Sequence, residues 1–250
     1  DTIMGFSAKR IIERLFLEHG LGKFDTLEVI DTGPMSDLHK ARNKHTGDVV
    51  CLKLYNRDGQ VMRQAIERKH PGIRKTLLRI RHPYILHIFE IGSSGRRMYN
   101  VSQFVNGVTL GSMIRSTGRT FTWWLGIFKQ IIAGTRYLHE QAQIVHRDLN
   151  PFNVMLTPAN TIKIIDLDFA FPIHTEATGL FRRSGTLGYM APEQAIGDVL
   201  DERLDVYSFG ATMYEILARK NPFRDKTGED IKTREERTRL AHLRYTPPAP

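Results

Sequence analysis

The sequence has one cysteine, Cys51, among 250 residues. An internal disulfide is excluded, and with it the small secreted scaffolds that depend on several bridges. Long apolar runs are missing too: none approaches the roughly 20 residues that a membrane span needs. The opening residues lack the charged, then apolar, then small-residue pattern of a secretory leader. There is no acidic excess either. Lys and Arg number 36 against 27 Asp and Glu, a formal net charge of +9. The basic residues are spread along the chain instead of forming one tract, which reads as a solvated basic surface, so nucleic acid is not expected as a partner.

What is present is apolar material for a sizeable core, 41% of residues, in a chain long enough for one large domain or two small lobes. A lone thiol and no leader point to a reducing, cytoplasmic setting. The chain opens at Asp1 without an initiator Met and closes on TPPAP. The expectation is a piece of a longer protein, for example its intracellular domain, with any membrane segment elsewhere.

Periodicity divides the chain further. Ile11, Ile12, Leu15 and Phe16 share a face in AKRIIERLFL, predicting a leading amphipathic helix within residues 1–25. Strand-like runs follow at Thr26–Ile30 and Val49–Tyr55, joined by a polar stretch with turn signals at Gly33-Pro34 and Thr46-Gly47. A helix is predicted over Val61–Arg81, interrupted at Pro71-Gly72, and then a hairpin from Tyr84–Ile91 and Met98–Val105 around SSGR. Trp124, Ile127, Phe128, Ile131, Ile132 and Leu138 recur at helical spacing, so Thr122–Glu140 reads as a core helix.

The stretch IVHRDLNPFNVML, from Ile144 to Leu156, sets a carboxylate, Asp148, and a carboxamide, Asn153, five residues apart between two apolar runs. In one pocket, the first can accept a proton from a hydroxyl and the second can hold a divalent cation, the pair that phosphoryl transfer needs. Lys53, inside the strand VVCLKLY, needs an anion if buried, although in isolation it reads as a solvent-facing strand lysine.

Taken together, His146, Arg147, Asp148, Leu149 and Asn153 resemble the H-R-D-L-x-x-x-N catalytic loop of eukaryotic-type protein kinases. VCLK at residues 50–53, Asp166-Leu167-Asp168, GTLGYMAPE and DVYSFG resemble further kinase motifs in the right order, closest in pattern to the bacterial serine/threonine kinases. The resemblance implies an α+β, bilobal fold: a small β-rich lobe over 26–105 and a larger helical lobe over 106–250 that lacks the family's last helices. It implies ATP bound between the lobes, Mg2+ on Asn153 and Asp166, and Lys53 on the α- and β-phosphates. Asp148 becomes the catalytic base, and Asn150 stands where the family has a lysine on the γ-phosphate. The nucleotide-lining set is Gly33, Leu38, Cys51, Lys53, Gln103, Val105 and Met155, with Gln103 and Val105 contributing main-chain groups. Thr186 matches the threonine placed against the catalytic Asp. Arg147 is expected to hold a phosphate on the segment with Thr175, Thr178 and Ser184, and Asp205 to bond the catalytic-loop backbone.

Several departures accompany these matches. Of the three phosphate-loop glycines only Gly33 survives, the others being Asp31 and Ser36. Ile73 fills the slot of the glutamate that pairs with the strand lysine, and Glu67 is the nearest carboxylate. Asp168 replaces the D-F-G glycine, and Glu193 lacks the distant arginine that it pairs with in the family. The expected function is transfer of the γ-phosphate of ATP to a Ser or Thr of a protein, at a reduced rate. The alternative is a pseudokinase acting as a nucleotide-binding or scaffolding module. Oligomeric state is not readable from the sequence.

Overall fold

The computed structural model describes residues 21–94, 97–115, 118–173, 175–176, 185–196 and 199–223. The helix expected over residues 8–17, the candidate acceptors Thr178 and Ser184, and the charged stretch after Phe223 lie outside them. The chain divides into two compact units, one running to Arg81 and including Leu86–Val105, the other comprising His82–Ile85 and the chain from Asn106 onward.

The first unit is built on a five-stranded antiparallel sheet of order β1-β2-β3-β5-β4: β1 Phe24–Thr32, β2 Ser36–Asn43, β3 Val49–Tyr55, β4 Ile88–Ser94 and β5 Arg97–Gln103. Alternation on β3 sends Val50, Leu52 and Leu54 to a core shared with Leu21, Phe24, Ala41, Tyr99 and Val101. Cys51 and Lys53 therefore face the other side. Leu21 and Phe24, at 1% and 3% exposure, tie the chain preceding β1 to this core. Beside them Lys23 Nζ pairs with Glu90 at 2.8 Å, and Tyr99 donates to the same carboxylate at 2.5 Å.

Helix α1, Arg57–Lys69, starts four residues earlier than the apolar pattern suggests because Asn56 caps it. The Asn56 side-chain oxygen accepts from the Asp58 and Gly59 amides, both at 3.1 Å. The helix ends before Pro71, whose ring disfavours helical geometry in the preceding residue, and α2, Ile73–Arg79, resumes beyond it. Ile73 is a core residue, 2% exposed.

In the second unit, α3 is Leu110–Met113 and α4 is Phe121–Glu140, whose Trp124, Ile127, Phe128 and Ile131 pack with Leu149, Val154, Ile162 and Ile164. Thr120 caps α4, its hydroxyl accepting the Trp123 amide at 3.2 Å. Short strands β6 Val108–Thr109, β8 Val154–Leu156 and β9 Ile162–Ile164 form one small sheet; β7 Ile144–Val145 pairs with β10 Phe171–Pro172 in another. A third pair joins β11 Thr175–Glu176 to β12 Val199–Leu200. Residues 82–85 go with this unit because Tyr84 accepts the Ile164 amide at 2.8 Å and His82 stacks on Tyr137. A short α5, Pro192–Ile196, precedes α6, Arg203–Ala218, which ends on Arg219 in the left-handed region, φ 55°. Among the described residues no helix is long and apolar enough to cross a membrane.

Candidate active site

Two loops join the same two small sheets of the second unit: 146–153 runs from β7 to β8, and 165–170 runs from β9 to β10. This topology brings the ends of both loops together and carries Asp148, Asn150, Asn153 and Asp166 with them. Leu149, 1% exposed, anchors the first loop in the core.

The loop is held from beneath. Asp205, with no exposure, accepts the backbone N–H groups of His146 and Arg147 and the His139 ring Nε2, each at 2.8 Å. His146 accepts the Asp148 amide on Nδ1 at 3.3 Å, so its Nε2 carries the proton and donates to the Ile165 carbonyl at 2.9 Å. The two loops are thereby linked through one ring. Arg147 adopts φ 69°, a conformation that costs a non-glycine residue about 1–2 kcal/mol. Its carbonyl accepts from Gln194 Nε2 at 3.0 Å. Gly185, φ 134°, passes so close that a Cβ there would meet Gln194 at 2.8 Å and the Arg147 carbonyl at 2.9 Å.

Asp148 is the focus of this frame. Oδ1 accepts from the Thr186 amide at 2.7 Å and from Asn150 Nδ2 at 3.2 Å, and Oδ2 from Asn153 Nδ2 at 2.8 Å. Burial pushes its pKa up, the Thr186 hydrogen bond and His146 oppose the shift, and the negative charge of Asp166 adds to it. Asn150, 2% exposed, caps the turn that follows by accepting the Phe152 amide at 2.9 Å. Its Nδ2 also reaches Thr186 Oγ1 at 3.2 Å. The residue standing in place of a lysine is thus folded inward, bracing Asp148 against Thr186.

The donor set of Asn153 and Asp166 fits a magnesium ion bound together with phosphates. Both Asn153 amide bonds go to Asp148, to its carbonyl and to Oδ2, each at 2.8 Å, which leaves the oxygen end for a cation. Asp166 sits at φ 61° beyond β9 with its charge felt at Asp148. One amide oxygen and one carboxylate are few protein ligands, as suits magnesium, which keeps waters and takes substrate phosphates.

Arg147 is 1% exposed, its guanidinium 5.4 Å from the Phe171 ring centroid. Burial lowers its pKa to about 10, against the opposing pull of Asp205 and Asp148, and it stays charged at neutral pH. Here it serves the loop from inside. Glu193 makes itself felt electrostatically at Tyr207, whose pKa is raised by burial and by that carboxylate.

Of the expected nucleotide-lining residues, all but Met155 lie in the first unit. Leu38 and Asn100 are the direct cross-strand neighbours of Lys53, and Cys51 lies two residues along the same face, opposite Ser102. Lys53 Nζ stands 5.8 Å from the Tyr55 ring centroid. Burial pushes the Cys51 thiol up, with Lys53 and a Ser102 hydrogen bond opposing the shift. Glu67 lies against the buried Arg63, Nε to Oε1 3.4 Å. The Gly33 turn is closed by Gly33 N–H to the Ser36 carbonyl at 2.9 Å, and Asn56 Nδ2 donates to the Gly33 carbonyl at 3.3 Å and to that of Pro34. The Gln103 N–H donates to the His87 carbonyl at 2.9 Å, and Val105, 8% exposed, closes the unit. In the second unit, Met155 lies on β8 between Thr109 and Lys163. Sequence reasoning missed His139, Gln194 and Gly185; nothing in a single sequence sets a histidine in a last helical turn or a glutamine after A-P-E apart from ordinary ones.

The first unit is a β-sheet with two helices, and the second, mainly helical, carries Asp148, Asn150, Asn153 and Asp166 on two adjoining loops. The chain matches the protein kinase domain over residues 24–248 and belongs to that family. It is 31% identical over 236 residues to serine/threonine-protein kinase PknA of Mycobacterium tuberculosis, covering 91% of this chain and 52% of that protein. With serine/threonine-protein kinase PknB of the same organism it shares 27% identity over 213 residues, 82% of this chain and 34% of that protein. The chain spans about half the length, or less, of these curated relatives.

Proposed function

We propose that this chain is an ATP-dependent protein serine/threonine kinase, and the observation that carries the reading is the set of hydrogen bonds that holds Asp148 between Asn150, Asn153 and Thr186. Asp148 orients the hydroxyl of a Ser or Thr substrate and takes its proton as the oxygen attacks the γ-phosphorus of ATP and the bond to the β-phosphate oxygen breaks. A carboxylate whose pKa is raised by burial is the better base for this step. Asn153 and Asp166 are the residues that would hold magnesium, which would supply positive charge against the phosphate oxygens. On the family's pattern Lys53 would meet the α- and β-phosphates, with Leu38, Cys51, Gln103 and Val105 of the same unit as the base-lining candidates and Gly33 in the phosphate-loop turn. PknA and PknB are named serine/threonine kinases, which supports that class of acceptor here. Asn150 supplies no charge, and a missing charge-assisted contact to the transferring phosphoryl group costs on the order of 100-fold in rate; a slow enzyme is expected. The lone, reduced Cys51 suits the cytoplasm, where ATP is available.

The test is radiolabelled γ-phosphate transfer from ATP with magnesium to the protein itself and to a generic basic protein, beside Asp148→Asn and Asp166→Asn. Transfer by the parent and by neither variant is expected. No transfer from a folded parent defeats the reading and leaves nucleotide-dependent scaffolding in its place.

A further inference from the structure

Next to the catalytic loop lies a depression of about 280 Å3 whose charge is one-sided. Phe152, 49% exposed, forms one wall, its ring packed against α3 where Gly111 has no side chain; a Cβ there would meet the ring at 2.4 Å. Arg115, Arg219 and Lys220 stand around it, all exposed. Among the described residues none of the three has a carboxylate within ion-pair distance. The one acid in the lining, Glu215, is turned inward at 7% exposure, where it accepts from the Tyr189 hydroxyl and from Asn221 Nδ2 at 3.1 Å.

Both borders of the depression lead to Asp148. Phe152 belongs to the turn capped by Asn150, which bonds Asp148. On the other side Asn221 donates to the Gly188 carbonyl at 3.1 Å, two residues from Thr186, whose amide bonds Asp148. A peptide with its hydroxyl at Asp148 would therefore have a flanking side chain within reach of the depression.

We propose that this depression reads an anionic side chain of the substrate, a carboxylate or a phosphorylated residue a few positions from the acceptor. The inference rests on the kinase reading above and adds the substrate class. Three partly screened charges acting on one anion give about a tenfold preference over a neutral side chain, and a larger one over a cation.

The test uses labelled short peptides with a central serine and Glu, phosphoserine, Ala or Arg at the nearby flanking positions. Binding is followed by fluorescence anisotropy at low and high salt, and phosphate incorporation is followed separately. The expected result is binding about tenfold tighter for an anionic peptide than for its Ala form, weakening with salt. A protein carrying Arg115→Glu, Arg219→Glu and Lys220→Glu should favour the Arg peptide instead; the three sites are exposed, and an unchanged melting curve shows that the variant folds. The Glu and phosphoserine arms separate the two anion sources. Equal affinity for Glu, Ala and Arg peptides, or a preference that survives charge reversal, overturns the proposal. Anisotropy needs no turnover, so an anionic preference without phosphate transfer would fault the kinase reading and leave the depression's role standing.

Discussion

Replacing Asp205 by Asn removes a charge and one acceptor from a site with no solvent. The carboxylate takes three hydrogen bonds of 2.8 Å, from the His146 and Arg147 amides and from His139. Asn keeps one oxygen and turns an NH2 toward the remaining donors, so at least one buried backbone N–H loses its acceptor, at about 1–3 kcal/mol. The surviving bond loses its charge assistance, about 1 kcal/mol more. Part of the work of these bonds is to hold Arg147 at φ 69°, which relaxes once they weaken. The total, roughly 2–4 kcal/mol, multiplies the local opening constant by about 30 to 900. Hydrogen exchange of the His146 and Arg147 amides reads this directly and avoids treating a two-unit chain as a single two-state system. The five-stranded sheet of the first unit should exchange as in the parent. Amide exchange at His146 and Arg147 within about threefold of the parent would refute the claim that Asp205 holds the loop.

Other outcomes follow from neighbouring features. Gly59→Ala should lower stability by up to about 2 kcal/mol in a denaturant titration, since a Cβ would lie 2.1 Å from the Met35 carbonyl oxygen and overpacking of roughly 1–3 kcal/mol outweighs the helix-propensity gain of about 1 kcal/mol. Tyr99 has its pKa pushed up to about 12 by burial and by Glu90. A raised folded pKa gives stability that is present below the unfolded value of 10.0 and lost as pH rises through about 12. Thermal unfolding should therefore steepen in its pH dependence over that window, and Tyr99→Phe should remove the dependence while costing about 1–2 kcal/mol at neutral pH. Asp148, raised by burial, should place the acid limb of the rate profile above the ordinary aspartate range, checked by carboxyl carbon NMR titration; a limb at the ordinary aspartate value of 3.8 would contradict it. The same shift makes ionised Asp148 a cost to folding at neutral pH.

The parts of the fold that were legible carry their reason within a few residues. β3 has the predicted limits, Val49–Tyr55, because β-branched and apolar residues alternate against one core. α4 begins within one residue of its predicted start, with Thr120 as cap. β2 has little strand signal of its own, since SDLHKARN offers little apolar alternation and is a strand through its pairing with β1 and β3. The early start of α1 depends on a cap that lies outside the apolar stripe. At the site, the string from His146 to Asn153 was visible as chemistry, but the inward fold of Asn150 depends on Thr186, 36 residues further on.

Asn56 ties two elements with one carboxamide. Its oxygen caps α1 while its nitrogen holds the carbonyls of Gly33 and Pro34, and its own amide donates to the Met35 carbonyl at 3.0 Å. The turn between β1 and β2 and the first turn of α1 therefore share a single fastening. Neither can loosen alone, so fraying of the helix and lifting of the turn become one event with one free energy, and a single substitution at Asn56 would give each its own.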